Sequence, residues 1–272
     1  MVGVINAYCA LLAESIGFKS LYLSGSGVAN ASIGVPDLGL INLGDVLTDL
    51  RRITAVTELP VLVDADTGWG DALATGRGTR ELIAARAAGM QIEDQVHEKR
   101  CGHRAGKSIV SADDMRIRIA SAVDARTEPS FVIMARTDAV AGEGINSAIE
   151  RACRYVEAGA DMIFPEALKS LTEYKQFTQA VPVPVLANLT EFGQTPLLRV
   201  DELREVDVAI TLYPLSAFRA MSAAAKSVYE TIRKDGTQQG ALPLMQTREE
   251  LYRITNYEEH ERKLGNSERA VK

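Results

Sequence analysis

The sequence predicts one α/β domain, a (β/α)8 TIM-type barrel over residues 1–272 with a helical extension from about residue 240. Three observations predict it. Eight short apolar runs alternate with helix-patterned segments, no linker or low-complexity stretch breaks the rhythm, and a polar side chain closes nearly every apolar run. An open doubly wound sheet shows the same alternation, but it spreads its strand ends along an edge with a single crevice. A closed ring gathers them into one mouth, which accounts better for so many polar strand ends.

Taken in order, strands are expected at 2–6, 20–24, 60–64, 89–93, 131–136, 160–165, 183–188 and 208–213. Helices are expected near 7–17, 43–57, 73–88, 111–126, 145–158, 169–180, 200–205 and 215–235. Pro60 and Pro184 introduce strands at a first position, where a missing N–H costs least. Ile16-Gly17, Ala88-Gly89 and Ala158-Gly159 are expected to end helices at glycine caps just before strands. The tail from Thr247 to Lys272 is charged and helical in pattern, with Leu251, Ile254, Tyr257 and Leu264 as a sparse apolar face. Such a face would pack on the barrel or on a neighbouring subunit.

Composition narrows the function. A hydrophobic fraction of 46% with 24% charged residues is ordinary for a folded enzyme and excludes a disordered chain. The net charge of −6 argues against nucleic acid or a membrane surface as partner. Cys9, Cys101 and Cys153 show no C-x-x-C pairing, so a reducing, cytoplasmic setting is expected. No apolar run approaches the length of a membrane span, and Lys19 is the first basic residue, so no signal peptide is expected.

The chemistry concentrates at the strand ends. In Val63-Asp64-Ala65-Asp66-Thr67-Gly68, two carboxylates at i and i+2 lean to the same side of an extended segment. Oxygen ligands at that spacing suit Mg²⁺, although a helix cap and a solvated aspartate would look the same. Glu93-Asp94 and Asp37 add acidic groups nearby, and converging like charges call for a cation or a raised pKa. The stretch from Asp94 to Val110 is too long for an ordinary βα loop and carries His97, Lys99, Arg100, His103, Arg104 and Lys107 around Cys101-Gly102. Cationic neighbours make a thiol reactive, and a basic loop over an acidic mouth reads as a lid on an anionic substrate. Arg136, Arg219 and Arg248 can each fork onto a carboxylate, Arg136 with the best claim because it ends a strand.

These motifs resemble the isocitrate lyase and phosphoenolpyruvate mutase superfamily, and within it most closely the branch that cleaves 2-methylisocitrate. The resemblance runs from Gly3-Val4-Ile5-Asn6-Ala7 to about Leu264. It includes Tyr22-Leu23-Ser24-Gly25, Ile92-Glu93-Asp94-Gln95, Ala135-Arg136-Thr137-Asp138, Phe164-Pro165-Glu166-Ala167, Asn188-Leu189-Thr190-Glu191 and Leu215-Ser216-Ala217-Phe218-Arg219. Lys99-Arg100-Cys101-Gly102-His103-Arg104 is the most specific of them.

The resemblance implies that Asp64 and Asp66 place Mg²⁺, with Mn²⁺ as an alternative, and that Asp37 and Glu93 surround the metal largely through water. It implies substrate contacts from Ser24, Gly25, Ser26, Arg136, Glu166, Asn188, Thr190, Arg219 and Arg248, and from Cys101, Gly102 and His103 on the lid. Cys101 would be the acid and Tyr22 the candidate base, with Arg136 in the catalytic set. The implied reaction yields pyruvate and succinate. The implied assembly is a homotetramer whose eighth helix is exchanged between subunits.

Three departures stand out. The family usually has a helix before its first strand, Arg86 replaces a small glycine before Ala87-Ala88-Gly89, and Ala105 replaces a proline. An isocitrate lyase or related oxo-acid lyase is the enzymatic alternative, although isocitrate lyases are longer and serine- and proline-rich where this chain has Asn188 to Gly193. A weakened regulatory protein on the same fold is the non-enzymatic one, and the intact metal and lid motifs argue against it.

Overall fold

The apolar runs form eight short strands: β1 (Val2–Gly3), β2 (Leu21–Leu23), β3 (Val61–Asp64), β4 (Gly89–Glu93), β5 (Val132–Thr137), β6 (Met162–Pro165), β7 (Leu186–Asn188) and β8 (Ile210–Leu212). The computed structural model describes residues 1–97, 99–100, 102 and 106–270, with side chains to 264. Strands β1 to β6 pair in sequence order in one curled parallel sheet, and β7 pairs with β8. Isolated parallel bridges join Ile163 to Val185 and Val2 to Tyr213. At the second bridge Gly3 N–H donates to Tyr213 O at 2.8 Å and Tyr213 N–H to Met1 O at 3.1 Å. The chains approach so closely there that a Cβ on Gly3 would lie 1.6 Å from Pro214 O. Only glycine fits.

Ten helices lie between and after the strands among the described residues: α1 (Ala7–Ile16), α2 (Leu43–Thr54), α3 (Ala72–Ala84), α4 (Ala112–Ala125), α5 (Ile145–Glu157), α6 (Leu171–Ala180), α7 (Val200–Arg204), α8 (Ser216–Asp235), α9 (Arg248–Ile254) and α10 (Tyr257–Ala270). Their starts follow from capping side chains. Asn6, Asp71, Ser111 and Ser170 each accept an orphan first-turn N–H, and Asn42 with Asp45 forms a reciprocal capping box. Short helical turns at Gly25–Gly27, Val28–Ile33 and Val140–Glu143 are absent from the sequence reading, because they are too short or too glycine-rich for periodicity to show.

Two of the expected glycine caps are in place, with left-handed backbone at Gly17 and Gly159. The third is corrected. Helix α3 stops at Ala84, Arg86 itself takes the left-handed conformation at φ 67°, and Gly89 is already the first residue of β4. Glycine is needed there for a different reason, since a Cβ would stand 2.7 Å from Val132 O. The Arg86 side chain turns outward, donating to Thr54 O at 2.9 Å and to Glu58 Oε2 at 2.6 Å. The joint is not crowded.

Burial falls into two layers. Leu21, Leu23, Val61, Val63, Met90, Ile92 and Ile133 face helix residues such as Leu50, Ile53, Leu82 and Ile119 in the larger cluster. The alternate residues Tyr22, Leu62, Met134, Phe164, Leu186 and Leu212 form a second cluster on the other face of the strands. Strands buried on both faces explain the unbroken apolar runs. Helix α8 has no buried residue; its Met221 and Tyr229 are exposed, as are Leu251 and Leu264 beyond it. Among the described residues no helix is long and apolar enough to cross a membrane.

Candidate active site

Parallel strands put all their C-terminal ends on one side, and the polar residues of those ends share a pocket there. Tyr22, Ser24 and Ser26 reach it from β2, Asp64 from β3, Arg136 from β5, Glu166 from β6, and Asn188 and Thr190 from β7. Asp37, Gly102 and Arg219 line it as well. Gly25 lies beneath, donating its N–H to Asp64 Oδ2 at 3.0 Å, and a Cβ on it would stand 2.9 Å from Asp66 Oδ1.

Arg248 is not brought to this pocket. It sits at the start of α9 beside Tyr252 and Tyr257, and that segment is tied to α1 by the Tyr8 hydroxyl donating to Gln246 at 2.5 Å. Cys101 and His103 lie outside the described residues.

The arginine is anchored before any ligand arrives. Arg136 Nε and Nη2 fork onto the two carboxylate oxygens of Asp138 at 2.9 and 3.1 Å. Its Nη1 lies 3.1 Å from Glu166 Oε2, its Nε 3.3 Å from Glu93 Oε2, and the guanidinium stacks over Phe164. These anions hold its pKa well above the ordinary value despite burial. Arg219 is different: half exposed, it meets Glu191 at 3.6 Å and lies over the Phe192 ring. It retains capacity for a substrate carboxylate.

Asp94, read with Glu93 as an acidic strand end, turns inward instead. It accepts from Thr137, from the Asp138 N–H and from Tyr155, each at 2.8 Å, and so fixes the end of β4 to β5.

The carboxylates converge on a cation, and that cation belongs to the loop. Lys99 Nζ lies 2.5 Å from Asp66 Oδ1 and 2.7 Å from Asp37 Oδ1, with the lysine side chain only 5% exposed. Burial alone would lower its pKa, but Asp66, Glu93, Asp64 and Asp37 hold it well above normal. Asp66 is pushed up to about 7 by burial, against the pull of Lys99 and with the charges of Asp64 and Asp37 adding to the rise. Burial likewise raises Glu93, opposed by Arg136 and Lys99.

Sequence reasoning places Lys99 in the lid but not in the site, because nothing in the chain shows that its ammonium is buried among acids. Lys107 also turns inward, donating to Gly102 O at 2.5 Å and to Asp138 at 2.6 Å. Gln95 pins Arg100 by two hydrogen bonds, its Nε2 donating to the carbonyl at 2.9 Å and its Oε1 accepting the N–H at 3.0 Å.

Hard carboxylate oxygens already gripping a cation form a suitable donor set for a divalent ion. Glu93 Oε1 is buried with no hydrogen-bond partner among the described residues, which a cation or its waters would satisfy, and Asp66 Oδ1 already faces the Lys99 ammonium. No group of three His, Cys, Asp or Glu among them is arranged to hold a metal unaided. Two direct carboxylates completed by water or substrate is how Mg²⁺ is commonly held.

Tyr22, at the floor, donates its hydroxyl proton to Gln91 Oε1 at 2.7 Å. Burial and the charges of Asp64 and Glu93 raise its pKa well above normal, with Arg136 opposing, so in this arrangement it is a protonated donor.

A strand-end pocket of buried carboxylates and anchored arginines under a basic loop defines an α/β enzyme that handles small carboxylates. The chain belongs to the phosphoenolpyruvate phosphomutase family, whose profile matches residues 1–233. It is 59% identical to the 2-methylisocitrate lyase of Escherichia coli (strain K12) over 267 residues, 98% of this chain and 90% of that protein. Its fold matches the crystal structure of 2,3-dimethylmalate lyase with a TM-score of 0.91 at 33% identity, covering 98% of this chain and 89% of that one. Phosphonopyruvate hydrolase, in a structure with oxalate and Mg²⁺, matches with a TM-score of 0.84 at 29% identity over 100% and 93% of the two chains.

Proposed function

We propose that the protein is a carbon–carbon lyase that cleaves 2-methylisocitrate to pyruvate and succinate. The observation that carries it is the meeting of Asp64, Arg136, Asn188, Thr190 and Arg219 around one pocket, with Asp66 bound to the pocket's Lys99, in a chain so similar to lyases of that name. The pocket's apolar side, from Phe164, Leu212 and Pro214, has the chemistry to receive the extra methyl group. The two bridges between the sheets and the six-strand inner cluster support reading the fold as a closed barrel, with the chain working as one domain. The unburied α8 supports docking on a second copy, as in an exchanged-helix homotetramer. The free Cys9 and Cys153 suit the cytoplasm.

The chain's residues divide the work. Ser24, Gly25 and Ser26 position the substrate beside Asp64, Arg219 forks onto a carboxylate, and Arg136 holds positive charge where the new anion forms. Removal of the hydroxyl proton lets the C2–C3 bond break, so that C2 becomes the carbonyl carbon of pyruvate. The electron pair stays on C3, which takes a proton from the Cys101 thiol to give succinate. Tyr22 serves as base once the charge of the neighbouring carboxylates is neutralised, since those charges now keep its proton in place. Mg²⁺ at Asp64 and Asp66, with Asp37 and Glu93 outside it, would supply Lewis-acid polarisation of the substrate oxygen.

A coupled assay of pyruvate release tests the reading. Wild type should favour 2-methylisocitrate over isocitrate by roughly tenfold to two-hundredfold, the worth of one methylene-sized contact. Cys101→Ser should lower kcat by roughly 10²–10⁴ while substrate still binds. A preference for isocitrate overturns the substrate, and undiminished turnover by Cys101→Ser removes the thiol from the reaction.

A further inference from the structure

Tyr22 meets the pocket from below through a partner that the site does not otherwise use. Gln91 is wholly buried in β4 and paired in register with Asp64 on one side and Met134 on the other. Its Oε1 accepts the Tyr22 hydroxyl at 2.7 Å, while its Nε2 has no hydrogen-bond partner among the described residues. A buried amide left half unsatisfied is destabilising, and an apolar side chain between Met90 and Ile92 would avoid that cost. The amide offers something that no apolar residue does. Acceptor and donor sit at the two corners of one plane, and a half-turn exchanges them. In the arrangement seen, the acceptor faces the phenol, which keeps its hydrogen turned away from the substrate.

We propose that Gln91 is a positioning residue for the cleavage, an amide that holds the Tyr22 oxygen in place as hydrogen-bond donor before the reaction and as acceptor during it. The inference rests on the lyase reading above. To act as base the phenol first gives its own proton to solvent, and the phenolate oxygen that results can only accept hydrogen bonds. The half-turn of Gln91 brings Nε2–H to it. No bond other than hydrogen bonds changes at Gln91; the substrate's hydroxyl proton restores the Tyr22 phenol, and the proton first released to solvent replaces the one that Cys101 gives to C3.

A double-mutant cycle tests it, with steady-state pyruvate release as readout. Gln91→Met keeps the length and burial but removes both hydrogen-bonding corners. It should lower kcat by roughly tenfold to a hundredfold, as expected for a misplaced reacting group, with KM nearly constant. Tyr22→Phe should do at least as much, and Gln91→Met added to Tyr22→Phe should cost nothing further. Gln91→His, which keeps one donor and one acceptor, should recover most of the loss. Losses that multiply in the double variant, or equal activity of Gln91→Met and wild type, overturn the role. A wild type that releases no pyruvate from 2-methylisocitrate overturns the lyase reading itself and takes this inference with it.

Discussion

Asp66→Asn should abolish pyruvate release from 2-methylisocitrate without unfolding the protein. The two acidic residues of this strand end differ in what else they support. Asp64 accepts the N–H groups of Gly25 and Asp66 at 3.0 and 3.2 Å, so removing it also loosens two backbone segments. Asp66 meets Lys99 at 2.5 Å and anchors no backbone donor through Oδ1. Its backbone is left-handed at φ 47°, a conformation asparagine tolerates better than alanine. Asparagine therefore removes charge and little else. Calorimetric titration with Mg²⁺ should show binding lost in the variant. In the parent, Asp66 is held near pKa 7, so a cation must displace a proton below that pH. Apparent affinity should fall by up to about tenfold per pH unit on the acid side, and that dependence should disappear with Asp66→Asn. Undiminished turnover in the variant would remove the metal from this position.

Gly102→Ala should lower kcat by about a hundredfold with no change in thermal midpoint. A Cβ at Gly102 would stand 2.2 Å from Arg136 Nη2 and 2.6 Å from Glu166 Cγ. Neither neighbour can retreat easily, because Asp138 forks the guanidinium and the Ala167 N–H binds Glu166 Oε1 at 3.1 Å. The loop must move instead, and Cys101 precedes Gly102 in it. Because the loop gives way and Arg136 keeps its stack on Phe164, stability should be untouched. Wild-type kcat in the variant would show that the loop does not occupy this position during turnover.

Much of this architecture is legible in the chain itself. Seven of the eight strands lie within their expected runs and β5 passes its run by one residue, to Thr137, because parallel strands buried on both faces leave uninterrupted apolar sequence. Asp64, Arg136, Glu166 and Asn188 are readable as site residues because each follows or ends such a run, where a polar group has no packing role. Partnerships are not legible. Nothing local distinguishes Lys99, which enters the carboxylates, from Arg100 beside it, and nothing marks Asp94 as a clamp for Thr137 and Tyr155 when its neighbour Glu93 faces Arg136. Arg248 carries the same chemistry as Arg219, and only the path of α9 takes it elsewhere. Gln91 offered a signal that composition alone does not weigh: one amide inside Met90-Gln91-Ile92, where an apolar residue would pack at lower cost.

The Val2–Tyr213 bridge has a consequence for how the chain breathes. Neighbouring strands from β1 to β6 pair across one intervening segment, whereas this seam unites residues as far apart as Met1 and Thr211, 210 positions along the chain. Closing a flexible loop of that length costs entropy on the order of 5 kcal/mol. Against it stand a two-residue strand and a few hydrogen bonds, compared with the five-residue register between β4 and β5. The seam is therefore a weaker line than the β4–β5 pairing and a place where partial opening begins. Native-state hydrogen exchange should find the amides of Gly3 and Tyr213 opening with a smaller free energy than those of Ile133 and Ala135. Equal protection at both places would mean that the strands part only when the fold unfolds as a whole.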